Sequence, residues 1–348
     1  MRLWAALWIA IGLAAPVAAR ADEVADFYRG KQVQIVVGYG AGGGYDFLAR
    51  LLARHLGAYI PGNPTVVVQN MPGAGSVRAA SWLANVAPRD GLVIGAFDRQ
   101  VPLFAVLGGD AALNFKANDL NWLGTVSSYA EDAFILWARK DAAATSLDDL
   151  RRPGGPSLKV GGSAAGSTDD TTVIVLRDVT GLRLDLITGY PDGNSIALAL
   201  ERGEVDARTA GWSSINSTHP DWLRPDGPVR PLIQVGRVTR LSALKDVPTA
   251  RELARDDKGR AIIEAMELTY QVARPYALPP GVPKDRLEAL RKAFMEALAS
   301  PALREEAAKS NTELSPVDGA QVTKLIAGME KASPEALAYL KKLLVVPN

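Results

Sequence analysis

VQIVVGYGAGGGYDFLARLL, residues 33–52, is the stretch whose reading decides the fold. Val33, Gln34, Ile35, Val36 and Val37 form a short β-branched run of the kind that makes a buried parallel strand. The run breaks at Gly38, and glycines follow at 40, 42, 43 and 44. From Asp46 onward apolar residues recur at helical spacing, at Phe47, Leu48, Leu51, Leu52 and Leu56. The order is strand, glycine loop, helix. The N–H groups of such a loop and of the first helical turn lack intrahelical partners and carry partial positive charge. The place suits an anion, a carboxylate as well as a phosphate.

The same device recurs outward from this stretch. A turn at 61–64 leads to a second strand at 65–69, a glycine loop at 70–76, a helix at 77–86 and a third strand at 92–97. This βαβαβ order implies a doubly wound parallel sheet with right-handed crossovers. Ligands of such sheets sit beyond the carboxyl ends of the strands, where both glycine loops lie. Strands at 122–126 and 133–138 carry the chain away. A second α/β unit then opens with a strand at 158–163 and the loop Gly162-Ser163-Ala164-Ala165-Gly166-Ser167-Thr168. A helix at 169–179 stopped by Gly181, a strand at 184–187, the loop Tyr190-Pro191-Asp192-Gly193-Asn194, a helix at 195–202 and a strand at 205–210 complete it. Residues 232–235 read as a strand crossing back. An amphipathic helix over 284–299 carries Leu287, Leu290, Phe294 and Leu298 on one face, and a last helix covers 319–331. Two α/β units, each with a donor-rich loop, predict a cleft between two lobes. Lobe 1 is expected at 22–127 plus 233–348, and lobe 2 at 128–232.

Arg2, an uncharged apolar run over 3–15, Pro16 and Ala19-Arg20-Ala21 have the pattern of a secretory signal peptide, residues 1–21, cut after Ala21. The apolar run is too short for a spanning helix. Export to the periplasm is expected. Removing residues 1–21 from the 348 leaves 327, a length typical of two domains. The formal charge of +1 falls to about −1 once Arg2 and Arg20 are gone. Charges of both signs are spread evenly, which argues against a nucleic-acid surface. The chain has no cysteine, which removes disulfides, thiolate metal sites and a cysteine nucleophile.

These pieces, in order, resemble the Bug family of periplasmic solute receptors, the substrate-binding subunits of tripartite tricarboxylate transporters. The resemblance is carried by GAGGGYDFLAR (40–50), VVVQNMPGAGS (66–76), GSAAGSTDD (162–170), Tyr190 ahead of ALALERGEVD (197–206), LKDVPTARE (244–252) and PYALPPGVPKDRLEAL (275–290). It implies a two-lobed type II periplasmic-binding-protein fold that closes like a hinge on a small organic carboxylate, without catalysis, cofactor or metal. It further implies delivery to a membrane permease of one large and one small subunit, with the receptor a monomer. Carried onto this chain, the binding residues are Gly42, Gly43, Gly44 and Asp46 in the first loop, and Ser163, Ala164, Gly166, Ser167 and Thr168 in the second. Tyr190, Asp192, Gly193 and Asn194 make up the third. The chain departs from the pattern at Ala41, where a proline is usual, at Asp170, where a histidine is common, and at Asp192, where a glycine is expected. Asp170 and Asp192 would repel a second acid group on the ligand unless it presents an amine or hydroxyl there.

Each of these residues has a second reading. The glycines of 38–44 also serve a tight turn, and Asp46, Ser167 and Thr168 also suit helix caps. Tyr190 also suits packing. Trp212, just past the 205–210 strand, is the tryptophan best placed for a cleft. Two other functions compete. The same receptor could present its closed form to a membrane sensor kinase. Alternatively, Gly38-Tyr39-Gly40-Ala41-Gly42-Gly43 fits the GxGxxG of a dinucleotide enzyme, but the second strand ends at Gln69-Asn70, without the ribose-binding acid. The only histidines, His55 and His219, stand in no catalytic motif.

Overall fold

The computed structural model describes residues 23–107, 115–128, 132–310, 312 and 314–344. The expected signal peptide and its cleavage point lie outside them. The described strands are β1 (Gln32–Val37), β2 (Thr65–Asn70), β3 (Val93–Ala96), β4 (Asn121–Thr125), β5 (Phe134–Arg139), β6 (Leu158–Gly161), β7 (Leu184–Ile187), β8 (Ala207–Gly211), β9 (Val229–Val235), β10 (Pro275–Leu278) and β11 (Val317–Asp318). They form two sheets, one in the order β11-β4-β10-β3-β1-β2 and one in the order β7-β6-β8-β5-β9.

β1 pairs in parallel with β2 and β3, in the βαβαβ order read from the sequence. The sheet is mixed rather than wholly parallel. β10 runs antiparallel to both β3 and β4, because the chain re-enters this sheet from the far side after leaving the other. The alternation in β1 sorts its side chains. Val33, Ile35 and Val37 point to one apolar cluster and Val36 to another. The first cluster receives Leu48, Leu51, Leu52 and Leu56 of the Gly44–Leu56 helix, and Leu290, Phe294 and Leu298 of the Lys284–Ala299 helix. Each such buried side chain is worth about 1.5–3 kcal/mol relative to exposure.

In the second sheet β6 is parallel to β7 and β8, while β5 is antiparallel to β8 and β9. β9 continues through Val235, where it pairs with Phe134. The expected boundary at 232/233 thus falls inside a strand of the second sheet. The chain passes between the sheets after Thr125 and again between Val235 and Pro275. The helix at 319–331 is not the last, as the sequence reading expected: a further one at Pro334–Leu344 packs on the Asp257–Glu267 helix, and that helix in turn packs on the Thr168–Thr180 helix.

Candidate binding site between the two sheets

The carboxyl ends of β1 and β3 face the starts of three helices of the second sheet's side, and a cavity of about 60 Å3 lies between them. One wall is built by Tyr39, Gly43, Gly44, Tyr45, Asp98, Arg99 and Arg274, the other by Thr168, Asp169, Asp192, Gly193, Arg208 and Ser214. Its volume accommodates about five water-sized positions, the scale of a small organic acid.

The first glycine loop offers backbone. Gly43 is the N-cap of the Gly44–Leu56 helix, and no side chain caps its first turn. The N–H groups of that turn therefore face the cavity with their partial positive charge. Asp46 does not reach the cavity. Its buried carboxylate accepts from Gly42 N, Arg50 Nε and Asn70 Nδ2, each at 2.9 Å. Burial pushes this carboxyl up, but the three donors outweigh it and hold it below the usual range. Asp46 braces the loop that carries it. Asn70, which stands where a dinucleotide enzyme would place its ribose-binding acid, spends its amide on Tyr39 O and on Asp46. A Cβ at Gly40 would collide with Asp192 Oδ2 of the opposite loop, so this glycine permits close approach of the two lobes.

The second loop offers side chains. Ser167 caps the Thr168–Thr180 helix by accepting from Asp170 N at 3.2 Å. Thr168 donates across the cleft to Asp98 Oδ1 at 2.6 Å. Asp98 collects three further donors, Gln100 N at 2.8 Å, Tyr39 OH at 2.7 Å and Tyr45 OH at 3.2 Å. Asp169 faces the cavity and accepts from Thr209 Oγ1 at 3.0 Å and Ser163 Oγ at 3.3 Å. Burial, together with the carboxylates of Asp98 and Asp170, raises its pKa to about 6 against the pull of Arg208. Asp170 points away, accepting from Thr188 Oγ1 at 2.6 Å, and burial raises it. In the third loop Asp192 caps the Gly193–Glu201 helix through Ser195 N at 2.8 Å and lines the cavity.

Of the residues carried over from the resemblance, Gly43, Gly44, Thr168, Asp192 and Gly193 line the cavity. Gly42, Asp46, Ser163 and Ser167 form its supporting layer. Ala164 and Gly166 are not among the residues lining it, and Gly166 lies against Phe104. Tyr190 packs beside the apolar cluster under β5, and Asn194 is exposed. Trp212 stacks on Trp137, with ring centroids 5.9 Å apart, rather than lining the cavity.

Sequence reasoning missed the arginines. Arg99 is 2% exposed and lies between the rings of Phe134 and Tyr270, 4.9 Å from each centroid. Arg208 donates to Gly193 O at 2.6 Å, and burial lowers its pKa against the pull of Asp169 and Asp192. Arg274 donates to Ser127 Oγ at 2.7 Å from a backbone at φ 57. That left-handed region is uncommon for a side-chain-bearing residue and costs roughly 1–3 kcal/mol. None of the three belongs to a motif, and only folding gathers them.

Two α/β lobes joined by several chain crossings, with a polar cavity lined from both, define a receptor of the periplasmic-binding-protein type. Residues 48–338 match the tripartite tricarboxylate transporter family receptor, and the chain belongs to that family. It is 28% identical over 326 residues to a UPF0065 protein in the gbd 5′ region of Cupriavidus necator, covering 89% of this chain and 86% of the relative. It is 31% identical over 190 residues to BugT of Bordetella pertussis, covering 53% of this chain and 54% of the relative. The fold is shared with the periplasmic binding protein BugD, at TM-score 0.70 and 20% identity over 91% of this chain and 98% of that one. It is shared also with MatC of Rhodopseudomonas palustris with bound malate, at TM-score 0.66 and 19% identity over 90% and 99%.

Proposed function

We propose that this receptor captures a small organic carboxylate by closure of its two lobes, without chemistry, and hands it to the large and small permease subunits of a tripartite transporter. The observation that carries this reading is the pairing of buried arginines with the uncapped start of the Gly44–Leu56 helix around one cavity shared by both lobes. A carboxylate there gains charge-assisted bonds from both kinds of donor. The malate in MatC and the adipate in a second R. palustris structure fit the same class of ligand. The protein works in the periplasm as a monomer after cleavage behind Ala21. Its second lobe runs from about residue 128 through the Asp257–Glu267 helix and takes in the Pro334–Leu344 helix packed on it, with the remainder of the mature chain in the first.

The test is a thermal-shift and calorimetric screen of protein secreted from the full chain, unfolded and refolded to strip carried-over ligand. The panel holds aliphatic mono-, di- and tricarboxylates, aromatic acids and amino acids, with NAD as control. A ligand at ~100 times its Kd stabilises the native state by roughly 2.7 kcal/mol. Ser167→Ala with Thr168→Ala lowers affinity for that ligand. Silence from every acid would overturn the carboxylate reading, and a response to NAD alone would restore the dinucleotide one.

A further inference from the structure

The two walls of the cavity differ in charge. On the side of the first sheet stand Arg99, Arg274 and one carboxylate, Asp98, whose oxygens are occupied by four donors. On the side of the second sheet stand Arg208 and two carboxylates, Asp169 and Asp192. The formal charge is +1 on the first wall and −1 on the second. Each helix start adds about +0.5. Gly44 opens one on the first wall, and Thr168 and Gly193 open two on the second. The first wall then stands near +1.5 and the second near zero, so the asymmetry survives the correction.

The unspent groups follow the same division. Arg274 is 4% exposed and lines the cavity. Its Nη1 is held by Ser127, while Nε and Nη2 have no hydrogen-bond partner among the described residues. A buried guanidinium with open donors at a cavity wall calls for an anion. Across the cavity, Asp169 accepts only two hydroxyl bonds and forms no ion pair within 4 Å among the described residues. Asp192 is 8% exposed, and its Oδ1 is used in capping, while its Oδ2 is turned toward Gly40 of the opposite wall. Carboxylates are acceptors only, each with room for about four bonds. Burial and the carboxylates of Asp98 and Asp170 raise the Asp169 carboxyl to about 6 despite the pull of Arg208.

We infer that the ligand is an amino acid-like zwitterion, its carboxylate on Arg274 and the Gly43–Gly44 helix start and its ammonium between Asp169 and Asp192. This rests on the carboxylate-receptor reading above and narrows it. A dicarboxylate in the same pose would set its second anion against two carboxylates of the cavity wall, whereas an ammonium supplies both with the donors they lack.

The experiment compares acids of matched size by titration calorimetry on the refolded secreted protein. β-Alanine, 4-aminobutyrate, L-alanine and L-serine stand against succinate, glutarate, L-malate and L-lactate. At least one amine-bearing acid binds ten-fold or more tightly than every dicarboxylate. Asp192→Asn preserves the helix cap, since Asn caps as well as Asp, and Asp169→Asn preserves an acceptor for Thr209. Each weakens the amine ligand ten-fold or more and leaves or improves the dicarboxylates. Circular dichroism melting confirms that each variant folds. Dicarboxylates bound in preference to every amine, or an amine ligand indifferent to both substitutions, would overturn the inference while leaving the carboxylate receptor standing. No binding by any of the eight acids, with none found in the wider screen, would overturn both.

Discussion

The two glycine-rich loops that face each other across the cavity look alike in sequence and act differently. GAGGGYD at 40–46 presents backbone N–H groups and turns its one acid, Asp46, inward to brace itself on Arg50 and Asn70. GSAAGSTDD at 162–170 presents side chains, with Thr168 reaching Asp98 and Asp169 facing the cavity. In the first, the acid is spent on local order. In the second, helix capping is left to Ser167, which frees the next two residues to look outward. A strand–glycine–helix motif thus fixes where a site lies, and the identity of the capping residue decides which atoms it offers.

The contrast can be broken most forcefully at Asp98, which joins the two loops. Asp98→Ala strands three hydroxyls and Gln100 N in a buried site. At about 1–3 kcal/mol for each unsatisfied group, the variant loses about 3 kcal/mol or more of stability in urea unfolding. A loss below ~1 kcal/mol would mean that the hub does not hold the lobes together. Asp46→Ala is next. It removes three bonds from one lobe and costs about 2 kcal/mol, yet changes ligand affinity by less than about threefold. A larger affinity loss would place Asp46 in the site after all.

Gly40→Ala sharpens the comparison from the other direction. The added Cβ meets Asp192 Oδ2 of the opposite wall in this structure, so the substitution should oppose closure of the lobes. Ligand affinity should fall about ten-fold, or about 1.4 kcal/mol, while the melting temperature of the ligand-free protein stays within a degree or two. Equal losses in both would show that the glycine serves the turn alone.

The smallest effect is the pH dependence of Asp169. Its pKa in the folded protein, about 6, lies above the ordinary 3.8. The stability linked to this group is complete below the ordinary value and is lost as pH rises through about 6. Asp169→Asn removes that dependence. The variant should melt about 2 °C or more above the parent at pH 7.5, with the gap closing toward pH 4. Arg208, Asp98 and Asp170 surround the group, so a flat difference across this range would mean that Arg208 keeps it ionised.

Much of the frame was legible along the chain. β1, β2 and β3 with their loops, the Thr168–Thr180 helix ended by Gly181 and the apolar face of the Lys284–Ala299 helix all declare themselves through local periodicity and turn chemistry. Two features escaped it. β9 stays in the second sheet through Val235, because its partner is β5, about a hundred residues earlier, and no local signal records that pairing. The arginines escaped because each stands alone in an unremarkable run.

The sequence by itself determined the class of the protein and the two loops that meet, because strand ends, glycine turns and helix starts are encoded within a few residues of one another. Only the tertiary structure decided which side chains the cavity holds. Arg99, Arg208 and Arg274 come from three separate segments, and Asp46 and Asp169 differ in whether a local donor claims their charge first. Burial and charge balance are sums over neighbours distant in sequence, and they take their values only when the lobes are packed together.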